Sequence, residues 1–77
     1  MKAENAQIIV NQVVGYLRDE RIRRGISQYR MAKDTGLSKM TIFRIERLEQ
    51  NPAASTLYVI AQYLDLDIGD IFKKVNN

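Results

Sequence analysis

The stretch SQYRMAKDTGLSKMTIFRIE, residues 27–46, carries the signals of two short helices joined by a tight turn. Ser27 is a good N-cap, because its hydroxyl can accept from the free N–H groups of a first turn. The helix it opens is expected over Gln28 to about Thr35, with Met31 and Ala32 facing inward. Gly36 stops that helix and supplies the positive φ that a tight inter-helical turn requires. Leu37 follows, and Ser38 caps a next helix expected over roughly Lys39 to Leu48, with Ile42 and Ile45 on its apolar stripe. Ala32 is small enough for the two helices to approach closely where they cross. The first turn of the second helix is then aimed outward, where Lys39, Met40, Phe43 and Arg44 cannot all be buried.

Working outward, the flanking segments also read as helices. From about Ala6, the residues Ile9, Val10, Val13, Val14 and Leu17 follow the i, i+3, i+4, i+7 rhythm of one helix face. Asn5 is a plausible N-cap, and Gly25 follows the basic last turn Arg23-Arg24 as a plausible C′ residue. The β-branched content of 8–14 leaves a short strand open there, and Gly15 weakens a helix. Asn51-Pro52 breaks the pattern after Leu48. A fourth helix opens at Ala54 or Ser55, with Leu57, Ile60, Ala61 and Leu64 on one face. A fifth begins at Asp67 as N-cap, with Asp70 at the capping-box position and Ile68, Ile71 and Phe72 inward. Residues 1–5 and 75–77 are expected to fray. The reading is all-α: a compact bundle of about five short helices in a single domain over 1–77.

Composition narrows the chemistry. The 77 residues contain no cysteine and no histidine, which excludes disulfides, thiolate metal sites and Ser–His or Cys–His nucleophile pairs. No metal-ligand cluster or phosphate-cradling glycine loop is present, so neither an enzyme nor a cofactor is expected. No apolar run is long enough for a membrane span, and the start lacks a signal-peptide layout, so a cytoplasmic protein is expected. The net charge of +3 is unevenly spread. Residues 18–47 hold nine basic side chains against four acidic ones, while 48–72 hold four acids and no base. A basic middle beside an acidic flank suits an oriented molecule with one face toward a polyanion.

Several positions in order resemble one family: Ser27-Gln28, Ala32, Gly36, Ser38, Thr41-Ile42, Arg44-Ile45-Glu46 and Asn51-Pro52, followed by Thr56-Leu57, Ala61, Leu64 and DIGDIF at 67–72. The chain is similar to the Cro and phage-repressor-type helix-turn-helix proteins, the Xre type, over about residues 17–72. The resemblance implies a lambda-repressor-like fold with the helix-turn-helix at helices two and three. It implies sequence-specific binding of double-stranded DNA by a regulator of transcription, a repressor in the leading reading, acting by occupancy as a homodimer on a pseudo-palindromic site. It implies a bacterial or phage-encoded protein, and in a chain this close to the minimum for the motif and its core no small-molecule effector is expected. The third helix would lie in the major groove with its N-terminal residues against base edges.

By that match Lys39, Met40 and Arg44 lead as base contacts, with Phe43 and Ser38 next. Arg44 or Lys39 can donate to guanine O6 and N7, and Met40 or Phe43 can pack on a thymine methyl. The match places Gln28 on the phosphate backbone, and Tyr29, Arg30 and Thr41 could reach phosphate from the same side. It also pairs Glu46 with Arg21 as a partly buried structural ion pair. Alternatives stay open for single residues. Arg44 could be a solvated surface arginine, Lys39 a phosphate contact, and Met40 a core filler. Phe43 could serve as groove contact, partial core residue or dimer contact. The dimer interface could use Ile68–Val75 or the apolar N-terminal residues. A protein-interaction module or an antitoxin-type component would use the same fold, but the basic third helix favours DNA.

Two positions depart from the family pattern. Leu48 and Asp65 stand where glycine is usual. Leucine does not readily adopt positive φ, so the third helix is expected to run a turn longer, or the following loop to differ.

Overall fold

The computed structural model describes residues 1–76, and no strand occurs among them. Five helices follow in order: α1 (Ala3–Arg23), α2 (Gln28–Thr35), α3 (Lys39–Glu46), α4 (Ala54–Tyr63) and α5 (Ile68–Asn76). The fold is the all-α bundle the helical periodicities require. α1 runs the length of the domain, packing against α3, α4 and α5, while α2 packs on α3 and α4.

The core gathers the expected stripes in one cluster. Val13, Val14 and Leu17 of α1 meet Met31, Ile42 and Ile45 of the central pair, with Leu57, Ile60, Ala61, Leu64 and Ile71 closing it from below. Ile42 and Leu64 are wholly inaccessible to solvent. Removing side-chain bulk at such a position costs about 2–5 kcal/mol, because the cavity cannot fully collapse.

The first and last helices extend further toward the chain ends than the sequence suggests. α1 begins at Ala3, so residues 3–5 are helical and Asn5 is not its cap; the N-cap is Lys2, which offers no side-chain bond. Instead the Lys2 carbonyl accepts from the Asn5 and Ala6 amides at 3.0 and 3.2 Å, and Glu4 places a negative charge beside the positive end of the helix dipole. The Ile8–Val14 stretch is helix, because only the 3.6-residue period brings Val13, Val14 and Leu17 together in the core. At the other end α5 continues through Val75 and Asn76, with Val75 packed on the core; Asn77 lies outside the described residues. The first turns of α1 and the end of α5 border an open apolar groove of about 340 Å³ that includes Ile9, Val10 and Phe72. The fourth helix opens at Ala54 rather than Ser55, from an Ala53 cap without a side-chain bond. Asp67 does cap the fifth: its Oδ1 accepts from the Asp70 amide at 3.0 Å.

The longer third helix is not found. α3 stops at Glu46, and Leu48 adopts φ 62°, a left-handed conformation that strains an L-residue with a β-carbon by about 1–2 kcal/mol. Two backbone bonds hold it there. The Leu48 amide donates to the Ile45 carbonyl and the Glu49 amide to the Arg44 carbonyl, both at 2.9 Å. These are the nested bonds of a Schellman turn, which satisfies carbonyls that the end of a helix leaves free. The same pattern closes α1 at Gly25 (φ 69°) and α4 at Asp65 (φ 57°). Glycine therefore fills one of three equivalent positions, and a leucine and an aspartate fill the others.

Candidate nucleic-acid interface

α2 and α3 are held at a fixed angle by a chain of short-range bonds. The Ser27 hydroxyl accepts from the Arg30 amide at 2.9 Å, and the Ser38 hydroxyl from the Thr41 amide at 3.3 Å. Between them Gly36, at φ 78°, donates its amide to the Ala32 carbonyl. The Thr35 hydroxyl donates to the Met31 carbonyl at 2.7 Å and accepts from the Leu37 amide at 3.2 Å, which pins the turn from its other side. With Ile42 and Ile45 buried, the opposite face of α3 has to point outward.

That outward face carries the residues singled out above. At about 100° per residue, Lys39 and Arg44 lie about 140° apart around the helix, with Phe43 and Met40 between them. Ser38, Lys39, Met40 and Phe43 line an open depression of about 480 Å³. Met40 is 54% exposed and Phe43 39%, so neither is a core residue. Lys39 and Arg44 are exposed and form no ion pair among the described residues. The nearby carboxylates are engaged. Glu20 takes Arg23 and Arg24, Asp34 takes Arg30, and Glu46 takes Arg21. Among the described residues, the charges of Lys39 and Arg44 on the outer face of α3 are therefore not neutralised by ion pairing.

The residues matched to phosphate contact are placed less uniformly. Tyr29 is exposed, and Thr41 is half-buried. Arg30 lies along α2 with its Nε 2.8 Å from Asp34, which also accepts from the Tyr63 hydroxyl of α4 at 2.7 Å. These two donors, Tyr63 first and then Arg30, hold the Asp34 carboxyl below its ordinary range, and Asp34 in turn pushes the Tyr63 hydroxyl up. Gln28 faces inward: its amide nitrogen donates to Glu46 at 3.0 Å.

Glu46 is the hub of the inner side. Arg21 grips it in two parallel bonds, Nε to Oε2 and Nη2 to Oε1, each 2.7 Å, and sends Nη1 to the Ile26 carbonyl at 2.7 Å. Both side chains are about nine-tenths buried. This pair ties α1 to the end of α3 and to the loop before α2. Among the described residues no buried side-chain polar atom is left without a partner, which is what such a network needs in order to be tolerated. Glu20, next to Arg21 on α1, accepts from Arg23 and Arg24, and Arg23 first among them draws its carboxyl from 4.5 down to about 2.

One cation on the outer face was not singled out from sequence. Arg47, the cap residue of α3, stacks its guanidinium over the Phe43 ring, 5.2 Å from the centroid. The i, i+4 spacing of Phe43 and Arg47 is the signal that could have found it.

No group of His, Cys, Asp or Glu among the described residues could hold a metal ion, and no helix is long and apolar enough to cross a membrane. A family model described as helix-turn-helix matches residues 17–71. No curated protein and no solved structure matches the chain.

Proposed function

We propose, for a chain that belongs to the Cro and phage-repressor-type helix-turn-helix family of DNA-binding proteins, that it represses transcription by occupying a specific duplex site, without catalysis or cofactor. α3 lies in the major groove. Lys39, Met40 and Arg44 meet base edges with Ser38 and Phe43 beside them, while Tyr29, Arg30 and Thr41 lie toward the phosphates; Gln28, whose amide is engaged by Glu46, is left out of that set. The observation that carries this reading is the exposed outer face of α3, where two unpaired cations, Lys39 in the first turn and Arg44 in the last, flank Met40 and Phe43 on a helix anchored by Ile42 and Ile45. Eight residues of helix read few base pairs, so two copies on two-fold-related half-sites complete the proposal. Their interface would come from α5 or from the first turns of α1.

Selection of bound duplexes from a random pool tests it, run with the unsubstituted protein, Lys39→Ala and Arg44→Ala. Arg44→Ala is expected to weaken binding by about 1–3 kcal/mol and to relax the preference at one position of each half-site. With about 6–10 phosphate contacts per dimer, affinity should fall roughly 10³–10⁵-fold between about 50 and 200 mM salt. An unchanged consensus in both variants would remove these residues as base readers. Salt-insensitive binding would remove the DNA reading altogether.

A further inference from the structure

The end of α3 holds an arrangement that base reading does not explain. Phe43 is an exposed aromatic residue at the centre of the outer face, and Arg47 lies over its ring, within the roughly 6 Å at which a cation is attracted to a π face. Arg47 also lies 3.4 Å, through its Nε, from Oε2 of Glu49, and both side chains are at least half exposed. Residues two apart on a continuous helix do not face each other. Arg47 and Glu49 meet because Leu48 turns left-handed and the Glu49 amide folds back onto the Arg44 carbonyl. Glu49 lies at the Nε edge of the guanidinium, and among the described residues Nη1 and Nη2 form no hydrogen bond. A planar fork with free donors, fixed from below by a ring, matches a phosphate better than a mobile side chain does, since less rotamer freedom is lost on binding.

We propose that Phe43 is a positioning residue, whose ring holds the Arg47 guanidinium ready for a DNA phosphate, and that Glu49 competes with that phosphate for the same cation. The proposal rests on the DNA-binding reading. It assigns Arg47 to the backbone and gives Phe43 a task other than contact with a base.

The test measures affinity by fluorescence anisotropy across a salt series on the duplex selected by the unsubstituted protein, with thermal unfolding as a control for folding. Arg47→Ala should weaken binding to all sequences alike and reduce the log K against log[salt] slope by about one per half-site. Phe43→Leu should weaken binding roughly 2–5-fold, the scale of an exposed cation–π contact, and leave the selected consensus unchanged. Phe43→Tyr should restore binding, because it keeps the π face. In the Arg47→Ala background Phe43→Leu should have no further effect, and Glu49→Gln alone should tighten binding. The inference is overturned by an unchanged slope in Arg47→Ala, by a shifted base preference in Phe43→Leu, by a loss in Phe43→Leu that persists without Arg47, or by an unaltered affinity in Glu49→Gln. Each of those leaves DNA binding itself standing, whereas an unsubstituted protein that binds no duplex would sink both.

Discussion

Glu46 and Arg47 are neighbours in the chain and belong to opposite sides of the molecule. Glu46 turns inward, is about nine-tenths buried, and is held by two bonds from Arg21 and one from Gln28. Arg47 turns outward, is more than half exposed, and has one loose contact at 3.4 Å and a ring beneath it. Both are arginine–carboxylate pairs, yet their energetics differ in kind. The inner pair has lost its water and depends on complete bonding; the outer pair stays hydrated and contributes little to stability. A salt bridge in this protein is therefore structural or available for binding according to which side of α3 it occupies.

The comparison is broken most severely by removing one inner partner. Glu46→Ala strands a buried guanidinium and an inward amide, and should destabilise the fold by about 3–5 kcal/mol. A domain of this size has only about 5 kcal/mol or somewhat more to lose. Urea unfolding followed by circular dichroism measures this. A shift no larger than that of Arg47→Ala, expected within about 0.5 kcal/mol of the unsubstituted protein, would show that the two sides do not differ.

Leu48 separates the two pairs, and its conformation gives a smaller and opposite effect. Leu48→Gly removes the β-carbon strain at φ 62° while keeping the turn and its two backbone bonds, and should raise stability by about 1 kcal/mol. The same denaturation experiment reads it. A loss of stability instead would mean that the exposed leucine side chain holds the end of α3 in place.

The smallest effect sharpens the contrast from α1. Glu20 is half-buried and its carboxyl, lowered to about 2 chiefly by Arg23, titrates below its ordinary 4.5. A depressed carboxyl contributes stability above its unfolded value and loses it as pH falls toward the folded value. The stability difference between the unsubstituted protein and Glu20→Gln should therefore be constant above about pH 5 and shrink between about pH 4.5 and 2. A difference that stays constant across that window would show that the Glu20 ion pairs carry no linkage.

The inner side of α3 was largely legible in the sequence. Ser27, Gly36 and Ser38 mark the turn by local chemistry, and Ile42 and Ile45 set the buried face by period alone. The Arg21–Glu46 pairing came from family resemblance and not from spacing, since 25 residues separate its members. The outer end was harder to read. The steric rule against a left-handed leucine pointed to a longer helix, and the rule was outweighed because two backbone bonds and an exposed side chain offset the strain. The family match placed Gln28 on the phosphate backbone, whereas its amide donates to Glu46, eighteen residues away, a contact that no local pattern announces. The start of α1 was missed because its first turn is held by a backbone carbonyl, which no side chain announces.

α1 ties itself to the end of α3 and to the loop beyond it, one tie at each. Arg21 grips Glu46, and the Gln7 amide donates to the Asn51 side chain at 2.7 Å. Fourteen residues of helix separate the two ties on α1, about 21 Å of rigid rod, against five residues between their partners. The helix thus serves as a ruler, fixing two marks between which the segment after the recognition helix has to run. Deleting one residue between those marks would turn Gln7 by about 100° and move it about 1.5 Å, taking it off its mark. The length of α1, in a stretch that reaches beyond the family match, is part of what determines how the chain leaves α3.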